Sequence, residues 1–294
     1  MKIVGWILCA ASVAFLPQAA WPSQSAWPQR WAPPGLASDQ YESSPAFTPE
    51  GGELYFMRSD TQFRNWRILV SRCVGGAWSE PEPAAFAAGP PALDADPFVS
   101  ADGRRVYFVS TRQNRDGGDQ LDIWRARRGA DGRWQPPQRL PEPVNSPGSE
   151  LLPRETADGR LYFGSDRPGG LGQGDIYVAT PQADGGWQVV NVGAPVSSAA
   201  NEYEADISMD GQSLVTVADR GSRSHLYHYR RVGGAWREQG RIAASDAEFQ
   251  VGPLHSPRGD RLLFAQRDGA RSGEFFLAEL VPEPDLSWPP RCGR

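Results

Sequence analysis

Apolar positions along this chain fall in short runs that return at a steady interval. Five segments align, FTPEGGELYFMRSD, VSADGRRVYFVSTR, ETADGRLYFGSDR, SMDGQSLVTVADR and SPRGDRLLFAQR, and their apolar runs begin at Leu54, Val106, Leu161, Leu214 and Leu262. The intervals are 52, 55, 53 and 48 residues. A tryptophan follows each run, at Trp78, Trp134, Trp187, Trp236 and Trp288, with intervals of 56, 53, 49 and 52. Two independent markers keeping one period identify a repeat of about fifty residues.

Within each unit the pattern predicts four short strands. A weak first strand, such as Pro97-Phe98-Val99, leads into a tight turn where Asp102-Gly103, Asp158-Gly159 or Asp210-Gly211 supplies the positive φ that such turns require. The second strand is the LYF-type run, apolar nearly throughout and so covered on both faces. A polar or Gly-rich loop leads to a third strand (Asp122-Ile123-Trp124, Asp175-Ile176-Tyr177, Leu226-Tyr227-His228), and another turn to a fourth that carries the tryptophan. Pro81, Pro136, Pro137, Pro289 and Pro290 crowd this last strand. Proline cannot donate to a ladder, so it marks an outer edge and blocks unwanted pairing there. A unit of this size cannot bury its own faces and must stack on its like. The expected fold is all-β, a propeller of about five four-stranded blades, with room for a degenerate sixth. SAWPQRWAPPGLA imitates the outer-strand segment GRWQPPQRLPEPV. Residues near Trp27 are therefore expected to add an outer strand to the last blade and close the ring, in competition with Trp288-Pro289-Pro290.

Composition agrees. The chain has 32 glycines, 27 prolines and 11 tryptophans, which suits many turns and thin, aromatic-packed sheets. Net charge is −5 and the 30 basic residues are scattered, so neither nucleic acid nor an anionic membrane is an expected partner. Lys2, the apolar stretch from Ile3 to Leu16 and the small residues Ala19 and Ala20 read as a secretory leader over residues 1–20. An N-terminal segment with the ring-closing strand (21–40) and the propeller (41–294) follow. No later segment is apolar enough to span a membrane. A monomer in the periplasm or secreted is expected. There Cys73 and Cys292 either pair, clasping the first and last blades and contributing roughly 4 kcal/mol, or remain free thiols.

The stretch from Asn145 to Ala179, NSPGSELLPRETADGRLYFGSDRPGGLGQGDIYVA, resembles the bacterial TolB-like, WD-like (PD-type) β-propeller repeat. That repeat carries an acidic residue, a proline, and then DGxxLYFxSxRxGGxGxxDIY. The second unit matches it well, whereas the fourth and fifth lack the Gly-rich loop and the first lacks the Asp-Gly pair. The resemblance implies a propeller of the cell envelope, commonly periplasmic. Many such proteins carry a peptidoglycan-binding module, which is not expected here.

One acidic residue recurs ahead of each first strand: Glu42, Asp94, Glu150, Glu202 and Glu248. Inner strands line a propeller's axis, so these could form a ring at one mouth of the channel. Such a ring would suit a basic peptide or a hard cation such as Ca²⁺, with no other cofactor expected. An arginine also recurs after each second strand, at Arg58, Arg112, Arg167, Arg220 and Arg267, and acid–arginine pairs would fix blade geometry instead. The Gly-rich loop from Arg167 to Gly174 lacks the Lys-Ser/Thr of a phosphate loop and reads as a hairpin loop. His225 and His228 lie three apart on a strand and point to opposite faces, which argues against a metal site. No G-x-S-x-G elbow is present. The primary expectation is a non-catalytic propeller that binds a protein or peptide in the envelope. The alternative is a carbohydrate-binding or glycoside-hydrolase propeller, for which Asp96, Glu204 and Asp206 are the acids that break the repeat's symmetry.

Overall fold

A computed structural model describes residues 27–112, 118–269 and 271–293. The expected leader lies outside the described residues. These form five antiparallel sheets and no helix. Blade one comprises Tyr41–Phe47, Glu53–Ser59 and Arg67–Val74, with an outer edge split into Ala77–Trp78 and Glu82–Pro83 around Pro81. Blade two comprises Asp94–Val99, Arg105–Ser110, Asp122–Arg127 and Gln138–Arg139. Blade three runs Glu150–Glu155, Leu161–Ser165, Asp175–Pro181 and Trp187–Asn191. Blade four runs Asn201–Ile207, Ser213–Asp219, Ser224–Val232 and Ala235–Arg241.

Blade five contains Val251–His255, Arg261–Asp268 and Arg271–Glu279, and its outer strand comes from the other end of the chain. Gln29–Arg30 pairs with Leu277 and Phe276, which closes the ring. Trp288-Pro289-Pro290 does not compete for that edge. This tail crosses to blade one, where Trp288 meets Phe47 edge-on at 6.3 Å. The reason lies in Asp260 and Arg261, which bind the backbone of Asp285 and Trp288 and hold the tail across the turn face. Cys292 then forms a disulfide with Cys73 on the third strand of blade one, with Cα atoms 5.2 Å apart.

The second strands show why the LYF run must be apolar on both faces. Leu54 and Phe56 pack toward blade five, while Tyr55 packs with Phe108 and Trp124 of blade two. Tyr107 and Val109 pack with Leu161 and Phe163 of blade three, and Tyr162 packs with Leu214 and Tyr229 of blade four. Each such strand is shared between two interblade cores. A fully buried side chain of this size contributes roughly 1.5–3 kcal/mol, so the ring is held by many equivalent wedges. Trp78, Trp134, Trp187 and Trp236 sit in or beside the outer strands and cap these cores.

Candidate functional site

Four inner strands share one irregularity. Two residues crowd opposite a single second-strand phenylalanine: Ser44-Pro45 opposite Phe56, Asp96-Pro97 opposite Phe108, Leu152-Pro153 opposite Phe163, and Gly252-Pro253 opposite Phe264. The residue before each proline has positive φ: 51°, 55°, 47° and 61°. In blade four the bulge falls at Tyr203, and Ala205 replaces the proline. Bulges of this kind re-aim side chains, and here they bring Ser44, Asp96, Leu152, Glu204 and Gly252 together at the axis. Ser44 Oγ donates to Asp96 Oδ1 at 2.7 Å, and the Leu152 amide donates to Asp96 Oδ2 at 3.1 Å. The Gly252 amide donates to Glu204 Oε2 at 2.8 Å. Gly252 is required, because a Cβ there would lie 2.4 Å from the Ser44 nitrogen.

Below this collar Arg154 plugs the channel. Its Nε donates to Asp206 Oδ1 at 2.6 Å, its Nη2 donates to the Pro253 carbonyl at 3.2 Å, and its guanidinium lies 5.4 Å from the Phe98 ring centre. Above the collar a cavity of about 400 Å³ remains. Asp96 and Glu204 lie among its lining residues with Ala95, Leu151, Tyr203 and Val251, and Phe63, Trp66 and Phe249 supply aromatic wall. Asp219, Arg223, Ser43, Ser44 and Ser224 add polar lining. Phe63 comes from the loop between the second and third strands of blade one. Asp60 braces that loop by accepting from the Gln62 and Arg64 amides at 3.0 and 2.9 Å. Phe63 meets Tyr41, Trp66 and Phe249 at 4.9, 5.4 and 5.8 Å. Burial pushes the Asp96 carboxyl above its usual range. Burial, and then the neighbouring Asp96 charge, push Glu204 up to about 8.

No protein-family model matches the chain, and no curated protein matches it. Solved structures do. A protein assigned as TolB from Agrobacterium tumefaciens superposes with a TM-score of 0.54 at 16% identity, over 83% of this chain and 78% of that one. The fold is that of the TolB-like propellers. TolB from Acinetobacter baumannii superposes with a TM-score of 0.50 at 18% identity, over 84% of this chain, which spans 57% of that protein's length. A puromycin-hydrolyzing peptidase of Mycobacterium tuberculosis superposes with a TM-score of 0.46 at 17% identity, over 79% of this chain and 35% of that one.

On this TolB-like frame four recurring acids are buried and bound within their own blades. Arg58 Nε donates to Glu42 at 2.7 Å, Arg112 Nη2 to Asp94 at 2.7 Å and Arg167 Nη2 to Glu150 at 3.0 Å. Arg220 stands 3.9 Å from Glu202, with its guanidinium 3.7 Å from the Tyr227 ring centre. Each acid also ties down the chain entering its blade. Ser38, Ser146 and Ser198 hydroxyls donate to Glu42, Glu150 and Glu202, and the Ala88 amide donates to Asp94. Burial raises Glu42 and takes Glu150 to about 7.

Glu248 does not hold the fifth place. The register pairs Val251 with Ala265, so Gln250 stands opposite Gln266, and Glu248 belongs to the preceding loop. Among the described residues no ion pair joins Glu248 to Arg267, and Gln250 instead bonds Gln266 and His225. The spacing carried the signal: Gln250, like Glu42, Asp94 and Glu202, lies 12 residues before its LYF-type run, whereas Glu248 lies 14 before it. Among the described residues no group of three or more His, Cys, Asp or Glu could hold a metal ion. The Gly-rich loop gives its Leu171 and Gly172 amides to Asp175 Oδ2 at 2.6 and 3.2 Å, so a carboxylate already fills it.

One constellation escaped the sequence pattern. Asp206 Oδ2 lies 2.6 Å from His255 Nδ1, and Ser213 Oγ lies 3.1 Å from His255 Nε2 and 2.9 Å from His228 Nε2. The connectivity is that of a nucleophile triad, but all four side chains are buried and none lines the axial cavity. Burial lowers His228 to about 3, so its imidazole is neutral. This network joins blades four and five.

Proposed function

We propose that the chain is an exported, non-catalytic binding propeller of the cell envelope, periplasmic or secreted, in which a protein or peptide partner docks over the axial pocket. The carrying observation is that pocket: blind-ended, walled by aromatics from blades one and five, and floored by Asp96 and Glu204, two of the three acids that break the repeat. Aromatic-lined concavities with a few convergent polar groups are the usual form of a binding site. The leader pattern and the Cys73–Cys292 disulfide both support an oxidising compartment. The test is capture from a periplasmic extract by the intact mature chain and by Leu151→Trp, which fills the pocket from its wall. A partner held by the first and lost by the second, with equal thermal unfolding of both proteins, is expected. Equal capture by both would refute the pocket.

Asp96 and Glu204 converging beneath Trp66 favour a second reading, a glycoside hydrolase. Hydrolysis of a glycan by the purified chain, abolished in both Asp96→Asn and Glu204→Gln, would establish it. Inactivity across a glycan panel would remove it.

A further inference from the structure

The axial pocket pairs an apolar, aromatic wall with a floor of carboxyl groups. Among its lining residues three carboxylates (Asp96, Glu204 and Asp219) face one guanidinium, Arg223 at the exposed rim. The nearest buried cation, Arg154, is committed below the collar to Asp206 and two backbone carbonyls. Asp96 has both oxygens occupied, by the Ser44 hydroxyl and the Leu152 amide. Glu204 is only 7% exposed, and the Gly252 amide takes its Oε2; among the described residues Oε1 accepts no hydrogen bond. One unfilled carboxylate oxygen therefore lines the cavity, beside the buried Ser43 hydroxyl, which has no hydrogen-bond partner among the described residues. Such a site repels phosphates and carboxylates. It suits a ligand with an apolar stem and a cationic tip, because aromatic faces also attract cations. The number of free carboxylate oxygens favours one of the two biological cations. A guanidinium is held best by a pair of carboxylate oxygens across its planar fork, whereas an ammonium is a compact point charge that one carboxylate oxygen can anchor and a hydroxyl can assist.

We infer that the pocket takes a primary ammonium group on an aliphatic stem, as on a lysine side chain presented by a partner protein. The inference rests on the pocket being the docking site, and it adds the chemistry of the occupant. Glu204 binds the cation as a carboxylate. Burial, and then the Asp96 charge, raise its carboxyl to about 8 against the opposing pull of the Gly252 amide and Arg154, with Tyr41, Tyr203, Asp219 and Arg223 as the other charged or titratable neighbours, so the protonated form is well populated at neutral pH. Binding the ammonium therefore releases the Glu204 proton to solvent. Affinity rises with pH, by up to about tenfold per unit, and levels off above the Glu204 value.

The test is calorimetric titration of the intact mature chain at pH 6.5, 7.5 and 8.5, in two buffers of different ionisation enthalpy. Four probes are used: a Gly-Lys-Gly peptide blocked at both ends, its Nε-acetyl form, the Gly-Arg-Gly analogue, and free pentane-1,5-diamine. The lysine peptide is expected to bind at least tenfold tighter than the acetylated and arginine forms, with proton release at pH 6.5 and 7.5. Glu204→Gln is expected to lose that affinity and its pH dependence while unfolding at the same temperature or higher at pH 8.5. Tighter binding of the diamine than of the peptide would assign the same ammonium chemistry to a free amine rather than to a protein. Equal binding of the acetylated peptide, tighter binding of the arginine peptide, or the absence of proton release would each overturn the inference. If no amine binds but Leu151→Trp still abolishes partner capture, the ammonium is wrong and the docking site stands. If Leu151→Trp captures normally, the docking site itself fails.

Discussion

Arg154 has no exposed surface, and its guanidinium is tied to Asp206 and to the carbonyls of Pro153 and Pro253. A buried ion pair adds little net stability, yet removing one partner strands the other charge. Arg154→Met is therefore expected to cost roughly 3–5 kcal/mol in urea unfolding. Arg154→Met with Asp206→Asn is expected to cost less than the single change, because the amide oxygen still accepts from the His255 amide without a stranded charge. Equal losses would mean that Arg154 acts by packing on Phe98 alone. Individual side chains were unevenly legible in the sequence. The pairs of Glu42, Asp94 and Glu150 with Arg58, Arg112 and Arg167 follow from a repeated spacing within one blade. Asp96 and Glu204 were visible only as departures from the repeat. Their meeting depends on the radial placement of blades two and four, which local sequence does not encode.

At the scale of elements, the inner-strand bulge converts a regular ladder into a collar. Its tightest point is the contact between Gly252 of blade five and Ser44 of blade one, which permits no Cβ. Gly252→Ala is expected to cost at least about 2 kcal/mol, from a left-handed φ and a backbone clash together. Gly89→Ala is the control: its φ is 72° but nothing lies within 4 Å of the added carbon, so the expected cost is about 1 kcal/mol. Comparable losses at both sites would show that the collar is not under close contact. Strands and Asp-Gly turns were readable because alternation and turn chemistry are local. The loop carrying Phe63 and Trp66 matched no repeat motif, and that irregular segment forms the pocket wall.

The whole molecule is a ring closed by both ends of its chain. Gln29–Arg30 completes blade five, while the tail crosses to blade one and is fastened by Cys73–Cys292, 219 residues apart in sequence. Removing a native disulfide typically costs roughly 2–5 kcal/mol, with long loops toward the upper end. Reduction, or Cys73→Ala with Cys292→Ala, is expected to lower unfolding stability by that amount while the far-ultraviolet circular dichroism signal stays that of a β protein. An unchanged urea midpoint would show that the N-terminal strand and the Trp288 contacts close the ring unaided.

The sequence by itself determined the repeat, its strands and turns, and the need to stack. Period, alternation and glycine placement are properties of neighbouring residues, and a thin sheet that is apolar on both faces has no other way to leave water. The sequence also placed the closing strand near Trp27, but only the tertiary structure decided that the Trp288 segment crosses to blade one instead of competing for that edge, and that Asp96, Glu204, Phe63 and Phe249 share one pocket. Those outcomes depend on which side chains face the axis when five blades close, and distances across a ring are not written in spacings along a chain.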